Sequence, residues 1–234
     1  MTAPVMLVTG TRKGIGRFLV DRYLEKGYVV AGCSRENFDE PLPKNYSHYC
    51  VDVADESAVV SMVRDVSSNL GPISVLINNA GIASMNHLIL TPLSTVQRVF
   101  ATNVFGTFTA MREVAKVMMS AKYGRIINFA TVATPLNLEG EAAYAASKAA
   151  VESLTRVAAR ELAPFNITVN AVGPTPVMTD LIRTVPKQKM DTLLGTQAIP
   201  RMGEHKDVAN VIDFYISANS DFITGQTLYL GGIN

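Results

Sequence analysis

Short apolar runs rich in β-branched residues recur along this chain at 5–9, 28–33, 48–53, 73–78, 125–131, 167–172 and 226–230. Longer segments with helical apolar spacing lie between most of them, at 15–26, 56–69, 93–121, 142–163 and 206–218. Few folds accept that alternation. Strands joined through helices run parallel, the crossovers are right-handed, and helices cover both faces of the sheet. The expectation is one α/β domain over residues 1–234, doubly wound, with a seven-stranded, mostly parallel sheet. No internal repeat and no linker rich in Gly, Ser or Pro divides it.

Two connections break the rhythm. The stretch ENFDEPLPKN at 36–45, with Pro41 and Pro43, reads as a loop where another crossover helix would be expected, and is close to the minimum length for joining parallel strands. The stretch 178–200 is long, with Leu181, Ile182, Met190, Leu193 and Leu194 set among Arg183, Lys187 and Lys189. It reads as a short helical lid with one apolar face, since long insertions in compact domains usually serve function.

Composition removes several classes of function. Lys and Arg total 21 against 20 Asp and Glu, so the formal charge of +1 leaves no basic footprint for nucleic acid or an anionic membrane. No apolar run approaches the roughly 18 residues of a membrane span. Residues 1–10 have neither the basic region nor the cleavage pattern of a signal peptide. Cys33 and Cys50 sit in no metal or redox spacing, so both are expected reduced and buried on strands, in a cytoplasmic protein without a metal site.

After the first strand comes Thr9-Gly10-Thr11-Arg12-Lys13-Gly14-Ile15-Gly16, and a helical pattern follows at once. Bare backbone there lets a pyrophosphate approach the free N–H groups of a helix N-terminus. A glycine triplet alone fits an ordinary strand-to-helix turn equally well; its place in the first βα unit favours a dinucleotide and a Rossmann-type fold. About 20 residues on, where an NAD-binding chain usually places a carboxylate, stand Ser34 and Arg35, with Lys13 in the glycine turn. Two cations suit a 2′-phosphate, so NADPH is expected over NADH, with Glu36 one residue away as the opposing charge.

The predicted helix from 142 carries Tyr144-Ala145-Ala146-Ser147-Lys148. Tyr and Lys four apart share a face, and a cation beside the phenol lowers the energy of its anion. A tyrosine tuned in this way can pass a proton to a carbonyl oxygen while hydride arrives at carbon.

Taken in order, these residues resemble the short-chain dehydrogenase/reductase family, over nearly the whole chain from Val5 to Gly232. The glycine pattern matches Gly10, Gly14 and Gly16. The adenine-side Asp matches Asp52, with Val53 beside it. The Asn-Asn-Ala-Gly element matches Asn78, Asn79, Ala80 and Gly81. The resemblance implies Asn103 as a structural and proton-relay asparagine, Tyr144 as proton donor and Lys148 as its partner. It places Pro174, Val177 and Thr179 on the nicotinamide side. The segments 199–204 and 223–232 are most similar to the 3-oxoacyl-acyl-carrier-protein reductase branch.

Three positions depart from the family pattern. Its catalytic serine is here Thr131, whose hydroxyl can still donate but whose methyl restricts χ1. Thr175 follows Pro174 where glycine is usual. Lys122 and Phe165 stand where the carrier-binding branch has arginines, expected beside the active-site mouth. Singly, Asn103, Asp52, Asn78 and Asn79 also fit capping or turn roles. His87 reads as packing or surface, and Met85, Met118 and Met119 as core or interface filler.

The expected activity is reduction of a ketone with NADPH, the first choice being a 3-oxoacyl thioester. A sugar, polyketide or other small ketone is the alternative substrate, and a non-catalytic NADP(H)-binding regulator is the alternative of another class. An acyl carrier protein is a weakly supported partner. The resemblance also implies a homodimer or homotetramer built from the helices at 93–121 and 142–163 and the last strand.

Overall fold

The computed structural model describes residues 3–38, 41–179, 182, 185 and 187–233. Strands β1 (Val5–Thr9), β2 (Val29–Ser34), β3 (Tyr46–Cys50), β4 (Ile73–Asn78), β5 (Gly124–Phe129), β6 (Ile167–Gly173) and β7 (Thr227–Tyr229) form one sheet. Their order is β3-β2-β1-β4-β5-β6-β7, and every neighbouring pair is parallel. Chain direction across the sheet reverses between β1 and β4, which opens a crevice at the carboxyl ends of those strands.

The helices are α1 (Gly14–Glu25), α2 (Glu56–Asn69), α3 (Leu93–Phe100), α4 (Thr107–Ala121), α5 (Ala133–Leu136), α6 (Ala142–Leu162), α7 (Lys187–Gly195) and α8 (His205–Ile216). Strand β1 is buried throughout, and its period of two sends Val5 and Leu7 to one face and Met6 and Val8 to the other. Against the first face pack Val59, Met62, Val63 and Val66 of α2 with Val114 and Met118 of α4. Leu19 and Tyr23 of α1 and Ile212 and Tyr215 of α8 cover the second. Asp55 caps α2 by accepting from the Ala58 N–H at 3.1 Å, and Glu204 and Asp207 close a capping box on α8.

Four local outcomes differ from the sequence reading. Residues 93–121 are not one α-helix, because a π-helical turn, Ala101–Gly106, separates α3 from α4. The backbone at its two ends stays in the right-handed helical region, so the segment reads from the sequence as one continuous helix. Helix α5, only four residues long, is too short to show a period. Cys50 is exposed, not buried, since it ends the edge strand β3, with its thiol donating to the Arg35 carbonyl at 3.2 Å. Lys122 and Phe165 lie just before β5 and β6, at the amino ends of those strands and so at the edge of the sheet opposite the crevice. Neither stands beside the crevice of its own chain.

Between β2 and β3 the described residues form no helix; Asp39 and Glu40 of that loop lie outside them. Of the expected lid, α7 is seen, whereas Leu181 and Arg183 fall outside the described residues. Among the described residues no helix is long and apolar enough to cross a membrane.

Candidate active site

At the carboxyl ends of the strands lies a cleft of about 820 Å³. Every site residue named from the sequence lines it except Asn103. One wall is the glycine turn, Gly10, Arg12, Lys13, Gly14, Ile15 and Gly16. Gly10 and Gly14 have φ of +74° and +61°, a backbone region that disfavours any residue with a Cβ. Helix α1 then starts at Gly14, its N-cap Lys13 making no side-chain cap and its first turn holding no acidic residue. The helix's own first turn therefore offers its leading N–H groups no competing carboxylate, which fits an anionic ligand such as a dinucleotide pyrophosphate.

Asn79 locks this turn to β4: its amide donates to the carbonyls of Thr9 at 2.9 Å and Gly10 at 3.0 Å. Ala80 N–H donates to the Thr9 hydroxyl at 3.0 Å, so the glycine turn and the loop bearing Gly81 move as one piece. Asp52 is exposed on the cleft and turns on itself, accepting from Ala54 N–H at 3.0 Å, while Val53 beside it is buried. Ser34, Arg35 and Glu36 form the corner beyond β2. There the Glu36 carboxylate is paired with Arg12, so one of the corner's cations is matched by the opposing charge.

The opposite end is built on α6 and on the residues following β5. Thr131 is 8% exposed, its Oγ1 accepts from Ala133 N–H at 3.2 Å, and its hydroxyl lies near enough to the Tyr144 phenol to favour the phenolate. Lys148 is 4% exposed, with Nζ donating to the Phe129 carbonyl at 2.8 Å. Burial pulls its ammonium down to about 8, and Glu152, one turn further along α6, opposes that. The Tyr144 phenol is pushed up to about 12 by burial, with Thr131 acting against the shift and Glu141 adding to it. In the protein alone the phenol is thus held above its ordinary value, opposite to the lowering expected from a lysine four residues on. The lysine is anchored to a backbone carbonyl, and burial outweighs the help the phenolate receives.

Asn103 lies behind the cleft wall, against Gly81 and Ile82. Fully buried in the π-helical turn, it exchanges two hydrogen bonds of 2.9 Å with the backbone of Ile82 and donates to Ser147 Oγ at 3.0 Å. Ser147 in turn donates to the Tyr144 carbonyl at 2.7 Å. A wide turn shifts the helical phase by about one residue, and that shift points this amide inwards. The sequence motif alone assigns Ser147 no role; its place three residues after Tyr144, on one face of α6, is the signal that could have found it.

After β6, Pro174, Val177 and Thr179 continue the wall, and Val177 forms an isolated bridge with Gly203. Thr175 is buried, its hydroxyl without a partner and its methyl directed at Gly203. Met85 lines the cleft, contrary to its reading as filler, together with Leu138, Ile182, Val185, Met190 and Leu193. These came from separate loops and α7, so no single period in the sequence joined them. His87 is a surface residue, 4.0 Å from Glu139.

The model of the short chain dehydrogenase family matches residues 4–190. The 3-oxoacyl-[acyl-carrier-protein] reductase FabG of Staphylococcus epidermidis is 35% identical over 97% of this chain and 96% of its own. Among solved structures, ElxO with NADP bound superposes with a TM-score of 0.89 at 30% identity, covering 98% of this chain and 97% of that one. NAD+-bound xylitol dehydrogenase gives 0.89 at 30%, covering 99% and 98%. The last two hold different dinucleotides, so likeness of this degree does not choose between them. Sheet order, cleft and sequence agree along nearly the whole length, and the chain belongs to the short-chain dehydrogenase/reductase family of oxidoreductases.

Proposed function

We propose that the protein reduces a ketone to a secondary alcohol with NADPH, and that the ketone is a 3-oxoacyl thioester. The observation that carries this reading is one cleft with three differing parts: the neighbouring hydroxyls of Thr131 and Tyr144, the apolar wall of Met190 and Leu193, and the basic corner of Lys13 and Arg35. A bound nicotinamide dinucleotide supplies the hydride. Tyr144 gives its proton to the substrate oxygen as charge develops there, and Thr131 donates a second hydrogen bond to the same atom. Lys148 steadies the phenolate left behind; only one of its three protons is taken by Phe129, which leaves others for the nicotinamide ribose. Asn103 is a positioning residue that acts through Ser147 on the backbone at Tyr144.

Gly10, Gly14, Ile15 and Gly16 would hold the pyrophosphate, Asp52 and Val53 the adenine, and Asn79, Ala80 and Gly81 the adjoining ribose side. Pro174, Val177 and Thr179 would face the carboxamide. Lys13, Ser34 and Arg35 would take the 2′-phosphate, with Arg12 restraining Glu36. An apolar wall partly formed by α7 suits an acyl chain and a lid that closes over it. The same overall likeness to a xylitol dehydrogenase supports a second substrate class, a polyol and its ketone. Exposed Phe105, Phe108 and Val157 on and beside α4 and α6 support a homodimer or homotetramer.

The test is purified protein with NADPH and with NADH against short and long 3-oxoacyl thioesters, nucleotide sugars and simple ketones, and with NADP+ and NAD+ against xylitol and other polyols. Higher catalytic efficiency with NADPH and a 3-oxoacyl thioester is the expected result. A clear NADH preference refutes the cofactor assignment, and turnover confined to polyols refutes the substrate.

A further inference from the structure

The corner that would receive the 2′-phosphate is tied together from beneath by a side chain that does not line the cleft. His48 lies on β3, paired in register with Gly32 of β2. Its Nε2 is 3.0 Å from Ser34 Oγ and 3.1 Å from the Glu36 carbonyl, and Ser34 Oγ itself donates to that carbonyl at 2.6 Å. A carbonyl only accepts, so Nε2 carries the ring proton. Nδ1 is then an acceptor 2.9 Å from the Tyr46 hydroxyl, whose single proton is shared between it and Thr11 Oγ1 at 2.8 Å; Thr11 Oγ1 donates in turn to the Cys33 carbonyl at 3.4 Å. The Cys33 carbonyl also receives the N–H groups of Gly10 at 2.8 Å and Thr11 at 3.0 Å.

One chain of hydrogen bonds therefore runs from the Ser34–Glu36 corner, through His48, to the glycine turn. Its room depends on residue 32 being glycine, because a Cβ there would collide with the Tyr46 hydroxyl and with Thr11 Oγ1. Phe38 closes the outer side, its ring edge-on to the imidazole at 4.7 Å with Arg17 above it. Burial holds the imidazole below its ordinary value, in keeping with a neutral ring that has one donor and one acceptor.

We infer that His48 is a positioning residue for dinucleotide choice: by holding Ser34 and the Glu36 carbonyl against the glycine turn, it sets the spacing at which the corner grips a phosphorylated ribose. This rests on the NADPH reading above. A cation or hydroxyl recognises a phosphate over a narrow range of distances, so loosening the corner weakens NADPH while NADH, lacking that phosphate, is little affected.

The test compares His48→Asn and His48→Gln with the unsubstituted protein, measuring NADPH and NADH dissociation constants by cofactor fluorescence, with KM, kcat and thermal midpoint alongside. Asparagine keeps a polar atom near the Nδ1 position and loses the reach to Glu36. It should weaken NADPH about tenfold, NADH by no more than about twofold, and leave kcat at saturation in place. Glutamine can place its amide N–H near the Nε2 position and should hold the NADPH-to-NADH ratio within about twofold. Tyr46→Phe, which keeps the ring in the core and cuts the same chain nearer the glycine turn, should lower the ratio about threefold. This variant carries the test if the asparagine protein does not fold. An unsubstituted protein that favours NADH overturns the NADPH reading. A preserved NADPH preference that is unchanged in both His48→Asn and Tyr46→Phe overturns the role of His48 alone, as does an equal loss in His48→Asn and His48→Gln.

Discussion

The two ends of the cleft handle charge in opposite ways. Around Tyr144 and Lys148 the ionisable groups are sunk beside central strands, and burial moves both, the phenol up to about 12 and the ammonium down to about 8. Around Ser34 the charged groups Arg35, Glu36 and Arg12 stay exposed, next to the two outermost strands of that half of the sheet. Desolvation sets the two groups apart: the phenol holds its proton, as a donor must before it acts, while the lysine becomes the easier of the two to discharge. Phosphate recognition needs charges that remain ionised, and solvent keeps them so. Under the function proposed above, the first task would fall to the buried centre and the second to the rim, where hydrogen bonds among side chains replace burial as the source of order.

The sharpest way to break this division is Tyr144→Phe. Loss of the proton donor should lower kcat by about a thousandfold, within the range of general acid catalysis, while NADPH affinity by fluorescence titration stays within about twofold. Residual turnover near normal would remove the phenol from the chemistry.

Lys148→Met probes the cost of that buried end. The lysine's folded value of about 8 lies below its ordinary 10.5, so below pH 8 folding leaves a buried cation desolvated. Replacing it should stabilise the fold by about 2 kcal/mol at pH 7 while abolishing most turnover. The unfolded chain binds more protons than the folded one between these two values, so the native protein gains stability as pH rises across that window, and the variant's advantage shrinks. Thermal melts at pH 7 and pH 10 that show an equal gap would refute this. In the native enzyme the reductive rate should fall as pH climbs through about 8, because the cation is lost.

At the rim the expected effects are smaller. Arg35→Ala should raise the KM for NADPH about tenfold and spare NADH, and the difference should fade in high salt, as an exposed charge contact does. Equal effects on both dinucleotides would mean Arg35 contacts something other than the extra phosphate. Smallest of all, Thr131→Ser keeps the hydroxyl and frees χ1, so kcat should change by no more than about threefold, whereas Thr131→Ala should lose well over that. Progress curves for the two variants separate a hydroxyl requirement from a packing one.

Much of the centre was legible in the sequence because its determinants are local. The glycine turn is contiguous, Tyr144 and Lys148 are one helical turn apart, and parallel strands announce themselves as continuous apolar runs. The rim network was not legible. Thr11, Ser34, Tyr46 and His48 belong to three separate segments and meet only once the β1-β2-β3 register aligns them, as it does Gly32 with His48. The fate of Lys122 and Phe165 had a similar cause: matching a family position says which residue stands there, and strand direction decides at which edge of the sheet it ends up. The protein alone does not lower the Tyr144 phenol, because adjacency on a helix does not fix where a long side chain sends its ammonium, which here goes to the Phe129 carbonyl.

The π-helical turn at Ala101–Gly106 has a consequence for chain length. A π-helical turn holds about one more residue than the α-helical winding it replaces, so deleting one residue within it would restore regular winding and leave the buried stripe of α4 facing the core. Asn103 alone would swing away from Ile82. The same deletion elsewhere in α3 or α4 would rotate the residues beyond it by about 100° and should be tolerated far less. Over these six residues the count of amino acids matters as much as their identity.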